Sequence, residues 1–170
     1  MRYLFGLVIL FVLGCAQPPK SAATYANANV GEPDGDKAVL VLYRKMVPPL
    51  MYSVTAKVNG NDFATLPNDA FSWTFLAPGK NRIDISWPLF ALTPGKTITL
   101  DVLPGRYYFV EFGGDIHMAG VGAVAYNTHD VSVISYEAGL ADVRECCLYM
   151  PSKLPLGLNN KRAESQQSNE

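Results

Sequence analysis

Apolar and polar residues alternate strictly over several short stretches of this chain. Residues 70–76 set Phe71, Trp73 and Phe75 against Ser72 and Thr74. Residues 81–87 set Ile83, Ile85 and Trp87 against Asp84 and Ser86, and 97–102 repeat the rule with Ile98, Leu100 and Val102. Successive side chains of an extended strand point to opposite faces, so this period gathers the apolar residues on one side of a strand, whereas a helix would scatter them. Residues 53–58 alternate likewise, and 63–66, 106–112, 121–126 and 131–136 add further strand-like segments. Residues 37–44 are apolar on both faces, which suits a strand covered on both sides. Asn59-Gly60, Pro78-Gly79 and Pro104-Gly105 supply turn residues between segments. The pattern predicts a mainly β chain, an antiparallel β-sandwich of about seven to nine strands. One short C-terminal helix is expected over 137–148, where Leu140, Val143, Cys147 and Leu148 form an apolar stripe, although Gly139 weakens it.

Length and charge narrow the function classes. The 170 residues are one ordinary domain's worth, and 14 Lys plus Arg against 15 Asp plus Glu leave a net charge of -1. With no basic surplus to displace counterions from a phosphate backbone, no nucleic-acid partner is expected.

The amino terminus reads as an address. Arg2 precedes an apolar run over 4–13 that is too short for a bilayer span of about 20 residues, so it reads as a secretory signal peptide. Val12-Leu13-Gly14-Cys15 resembles the lipobox of bacterial lipoproteins. The resemblance implies cleavage before Cys15 and covalent diacylglycerol and N-acyl lipid on that residue, with no other cofactor. Cleavage after Ala16, releasing a soluble protein, is the competing reading. Ala16, in place of Asp after the cysteine, resembles the pattern sorted to the outer membrane, facing the periplasm. The expected division is a signal peptide at 1–14, a lipidated cysteine and flexible tether at 15–36, a sandwich domain with its terminal helix at 37–150, and a disordered tail at 151–170. The tether is small and polar, with a flexible reach of about 25 Å.

The segments Lys37-Ala38-Val39-Leu40-Val41-Leu42-Tyr43-Arg44, Val58-Asn59-Gly60, Pro78-Gly79 and Pro104-Gly105-Arg106-Tyr107-Tyr108 resemble an uncharacterised family of small bacterial lipoproteins with an immunoglobulin-like sandwich. The resemblance implies a location and a fold. It implies no enzyme activity and no catalytic residues.

If the strands run up and down, the three tight turns fall at one end of the sandwich, and the longer connections 46–52, 67–69, 87–95 and 113–118 fall at the other. Two of these are unusually apolar: Met46, Leu50, Met51 and Tyr52 in one, Trp87, Leu89 and Phe90 in the other. Either they fold over and cap the core, or they form an exposed patch that meets a partner. A tether entering at the tight-turn end directs the patch away from the anchoring membrane unless the linker folds back. That arrangement favours an envelope protein as partner, and an interaction or accessory module as the function. A glycan- or peptidoglycan-binding module is the alternative, with Trp73, Trp87, Tyr107 and Tyr108 as its aromatics, although both tryptophans are expected to look inward.

Other chemistry is thinly represented. His117 and His129 with Asp115 and Asp130 lack the spacing of a metal motif, and no metal is expected; no G-x-S-x-G elbow or phosphate loop is present. Cys146 and Cys147 point about 100° apart on a continuous helix, which argues against a bridge between them. Cys147 then reads as a small buried hydrophobe, and Cys146 as an exposed thiol for an intermolecular disulfide and a possible homodimer.

Overall fold

The computed structural model describes residues 16–119 and 124–155, and it is mainly β. Among the described residues nine strands run in chain order: β1 (Ala38–Arg44), β2 (Val54–Val58), β3 (Asn61–Leu66), β4 (Ala70–Leu76), β5 (Gly79–Ser86), β6 (Lys96–Val102), β7 (Tyr107–Ala119), β8 (Val124–Ile134) and β9 (Leu148–Tyr149). The helix α1 (Tyr136–Cys146) lies between β8 and β9. One sheet has the order β8-β7-β1-β4-β9 and the other β3-β2-β5-β6.

The pairing is mixed where an antiparallel fold is expected, because β1 pairs parallel with β7 and β4 pairs parallel with β9. The described parts of the expected strands 121–126 and 131–136 fall in one strand, β8, and the expected loop 113–118 belongs to β7. The two form a continuous hairpin from Phe109↔Ile134 to Ala119↔Val124. This ladder satisfies backbone groups that a loop would leave to water. Since β1 stops at Arg44 opposite Phe112, the hairpin continues past the end of β1.

Two apolar layers explain the burial. Ala38, Leu40 and Leu42 of β1 meet Val54, Ala56, Ile83, Ile85 and Leu100 of the facing sheet. The other face of β1, with Val39, Val41 and Tyr43, packs with Phe71, Trp73, Phe109 and Val143 under a third layer. All seven residues of β1 are buried, as its unbroken apolar run anticipates. The alternation in β4 is also as expected, but Phe71 and Trp73 face the third layer, while Ser72 and Thr74 are buried toward the facing sheet.

That third layer is α1 together with residues 16–36, the segment expected to be a flexible tether. The chain there is docked. Thr24 bridges Leu148, Tyr149 N–H donates to Ala23 O at 2.7 Å, and the Tyr25 ring lies 5.6 Å from that of Phe71. Further along, Tyr107 donates its hydroxyl to Gly31 O, and a Cβ at Gly31 would collide with Phe75. Gly31 thus lets the backbone approach an aromatic surface more closely than any other residue allows. The segment therefore starts beside the first residues of β4 and ends near Leu76. It runs along the sheet from the long-loop end to the tight-turn end.

The C-terminal part differs from expectation as well. Ser135 caps α1 by accepting from Ala138 N, and a Cβ at Gly139 would collide with the Phe109 side chain, so the glycine that weakens the helix is what lets it lie on the sheet. The helix stops at Cys146, and Cys147 is extended with φ -126 and ψ 143. Its side chain therefore does not follow the helical splay, and the structure bonds Cys146 to Cys147. This corrects the expectation of a Cys146 thiol bridging two copies. Cys147 is buried, as expected. Residues 151–154, assigned to the start of a disordered tail, are ordered: Lys153 N–H donates to Phe63 O at 2.7 Å and Leu154 is buried. Residues 1–14, Cys15 and 156–170 lie outside the described residues.

Candidate functional site

Arg44, the last residue of β1, organises the long-loop end. Its side chain is fully buried. One terminal nitrogen donates to Tyr52 O at 2.7 Å and Leu66 O at 3.1 Å, and the other to Val47 O at 3.1 Å. The guanidinium also lies 4.8 Å from the Trp87 ring. Burial pushes its pKa down to about 10, opposed by the charge of Asp69, so it stays a cation at neutral pH. A buried cation without a bonded carboxylate is stabilised by carbonyl dipoles, and here those carbonyls come from the loop 46–52 and the end of β3. Arg44 thereby ties the first apolar loop to Trp87, which begins the second.

His129 completes the junction. It stacks 5.8 Å from Phe112, meets Trp87 edge-on at 5.0 Å, and donates Nε2–H to Pro48 O. A carbonyl only accepts, so Nε2 carries the proton. Asn68 closes the other flank: its Nδ2 donates to Leu50 O at 2.7 Å and to Ala16 O at 3.0 Å. Asp69 accepts from Met46 N–H.

The apolar loop residues divide into two groups. Val47 and Trp87 are buried and cap the core, and Leu50 and Tyr52 are half-buried. Met46 and Met51 are about half exposed, whereas Leu89, Phe90 and Leu92 are 86%, 82% and 91% exposed. These last three stand on a tight turn, closed by Ala91 N–H to Pro88 O at 2.9 Å and Thr93 Oγ1 to Ala91 O at 2.9 Å. Capping and exposure, posed as alternatives by the sequence, are shared between residues of the same loops. Leu92, which carries the most exposed side chain of the three, is in the left-handed region at φ 49. Its part in the patch is not marked by any alternation in the sequence.

A second polar cluster lies between β1, β7 and α1. The Tyr43 hydroxyl is 3.0 Å from Glu111 Oε2 and 2.9 Å from Asp142 Oδ2. Lys45 Nζ lies 3.4 Å and 2.8 Å from the same two oxygens. Burial, then the hydrogen bonds and charges of the two acids, pushes the Tyr43 phenol up. For Asp142, partial burial favours the neutral acid, but hydrogen bonds from Lys45 and Tyr43 and the Lys45 charge outweigh it, so its carboxyl lies below the usual range. The arrangement pins α1 to the sheet. No sequence motif links Tyr43, Lys45, Glu111 and Asp142, which only the fold brings together.

An open groove of about 220 Å³ beside this cluster is lined by Glu111, Gly113, Gly114, Thr128, Asp130, Ser132 and Ile134, with no aromatic side chain. Trp73 and Trp87 are buried, so neither ring is an exposed sugar-stacking surface, while Tyr107 and Tyr108 are half-buried. Asp115 and His117 have side chains outside the described residues. Among the described residues, no group of three or more His, Cys, Asp or Glu is placed to hold a metal ion, and no helix is long and apolar enough to cross a membrane. The chain matches no protein-family model and no curated protein.

Proposed function

We propose that this chain is a lipid-anchored protein of the bacterial cell envelope, held at the outer membrane through acylated Cys15 with its sandwich in the periplasm. The domain, read as an immunoglobulin-like sandwich, serves as a non-catalytic interaction or accessory module. The observation that carries this reading is Val12-Leu13-Gly14-Cys15 at the end of a short apolar run. Support also comes from the position of Ala16, the next residue, which is already hydrogen-bonded into the domain. Several acyl chains, at about 0.8 kcal/mol per buried methylene, hold a protein durably at a bilayer.

Mass spectrometry of the mature amino-terminal peptide tests this reading. The expected peptide begins at Cys15 and carries a diacylglyceryl group with an N-acyl chain, and Cys15→Ser abolishes the modification and releases the protein from membranes. An unmodified peptide beginning at Gln17 would overturn the reading in favour of a soluble protein.

A further inference from the structure

The anchor and the apolar loops share one end of the molecule. Ala16 N–H donates to Leu50 O at 2.9 Å, and the Ala16 carbonyl accepts from the Asn68 backbone at 2.9 Å. Residue 15 is one peptide earlier, so its Cα lies within about 3.8 Å of that of Ala16. A lipid on Cys15 therefore begins beside Leu50 and Asn68. The slack of a long tether is absent, because residues 16–36 are bound to the sheet and lead away from this end. The expected orientation, with the patch directed away from the membrane, is reversed by this path.

We infer that the loops carrying Met46, Met51, Leu89, Phe90 and Leu92 dock into the phospholipid surface that holds the anchor. The inference rests on the lipoprotein reading above. The glyceryl group of such an anchor sits at headgroup level with its chains below, and the short attachment brings the loop end to that same level. Apolar groups at an interface bury about 5 to 10 Å into the boundary between headgroups and acyl chains. Leu89, Phe90 and Leu92 stand exposed on a closed turn, so no rearrangement is needed to present them. Met46 and Met51 add side chains that adapt to an irregular surface. With a net charge of -1 the protein has no basic excess to attract anionic lipids, so the contact is apolar and insensitive to salt.

The test uses the processed, acylated protein in protein-free vesicles of phosphatidylethanolamine and phosphatidylglycerol. An environment-sensitive fluorophore is attached at Phe90→Cys or, at the opposite end, at Leu103→Cys, which replaces a half-exposed residue beside the Pro104-Gly105 turn. The label at 90 is expected to gain several-fold in emission and to be quenched by lipids brominated on their acyl chains, at both low and high salt. The label at 103 is expected to do neither. If acylated protein is bound to the vesicles while the label at 90 stays aqueous, the docking is overturned and the anchor stands. If the label at 90 becomes apolar only in native membranes and not in protein-free vesicles, a protein occupies the loops and the inference is again overturned. An unacylated mature peptide removes the lipoprotein reading and the docking with it, and the peptide mass distinguishes that failure from the others.

Discussion

Arg44→Met gives the sharpest test of how the loop end is built. Methionine keeps most of the apolar stem and removes the fork that satisfies the carbonyls of Val47, Tyr52 and Leu66. Each carbonyl left buried without a partner costs about 1 to 3 kcal/mol. Relief from desolvating the guanidinium returns several kcal/mol, because a buried charge is itself expensive. The balance is a net destabilisation of about 3 kcal/mol, well below the sum of the three lost bonds. For a domain of this size about 1 kcal/mol moves Tm by about 2 to 4 °C, so a drop of about 6 to 12 °C is expected in thermal unfolding followed by circular dichroism. Amide exchange should quicken over 46–52 and at Trp87 while β1 to β4 pairing stays protected. A Tm within about 2 °C of the wild type, with unchanged exchange in that loop, would refute the role of Arg44 as the tie.

The remaining expectations concern the layers on either side of β1. Thr74 Oγ1 is buried toward the facing sheet with no hydrogen-bond partner among the described residues, so Thr74→Val should raise stability by about 1 kcal/mol in urea unfolding; a loss would show that the hydroxyl has a partner. Gly139→Ala places a methyl against Phe109 and should cost about 1 to 3 kcal/mol despite the better helix propensity of alanine, read as a lower urea midpoint. Because the Asp142 carboxyl lies lower in the folded state than in the unfolded one, its contribution is present above the unfolded pKa, near 4 in order of magnitude, and is lost as pH falls through the folded value. Stability of the wild type should therefore drop on acidification below about pH 4, and Asp142→Asn should show a smaller drop over the same window. The exposed trio tolerates change: Leu89→Ser, Phe90→Ser and Leu92→Ser combined should move Tm by no more than about 2 °C, since surface substitutions are usually near neutral.

Strand positions were legible because period two survives any choice of neighbours. What alternation cannot specify is which face meets which layer. In β4 the aromatics and the hydroxyls fall into the right two sets, yet Phe71 and Trp73 pack under residues 16–36 rather than toward the facing sheet. Two segments, β1, apolar on both faces, and 106–112, aromatic on both faces, carry the sign of a third layer. The part of that layer formed by residues 16–36 leaves no mark in the sequence, because its contacts are made by Tyr25, by backbone groups and by the bare surface of Gly31, none of which creates an apolar period. The end of α1 was obscured for a related reason. Cys147 and Leu148 continue the helical stripe in spacing, but Cys147 reaches the core from extended backbone and Leu148 is a half-buried residue of β9.

The same distinction applies to the loops. Their apolar composition marked them, and their division of labour depended on Arg44 and His129, which bind backbone carbonyls and so leave no side-chain pattern. The position of Ala16 beside Leu50 was beyond the sequence, because it requires the whole of 16–36 to lie along the sheet.

Hydrogen–deuterium exchange of the acylated protein, bound to phospholipid vesicles and compared with detergent-free Cys15→Ser protein in solution, addresses the orientation most directly. The account predicts added protection over 46–52 and 88–92, and none at the turns 59–60, 78–79 and 104–105. Added protection confined to those three turns, or no difference between the two ends, would contradict it.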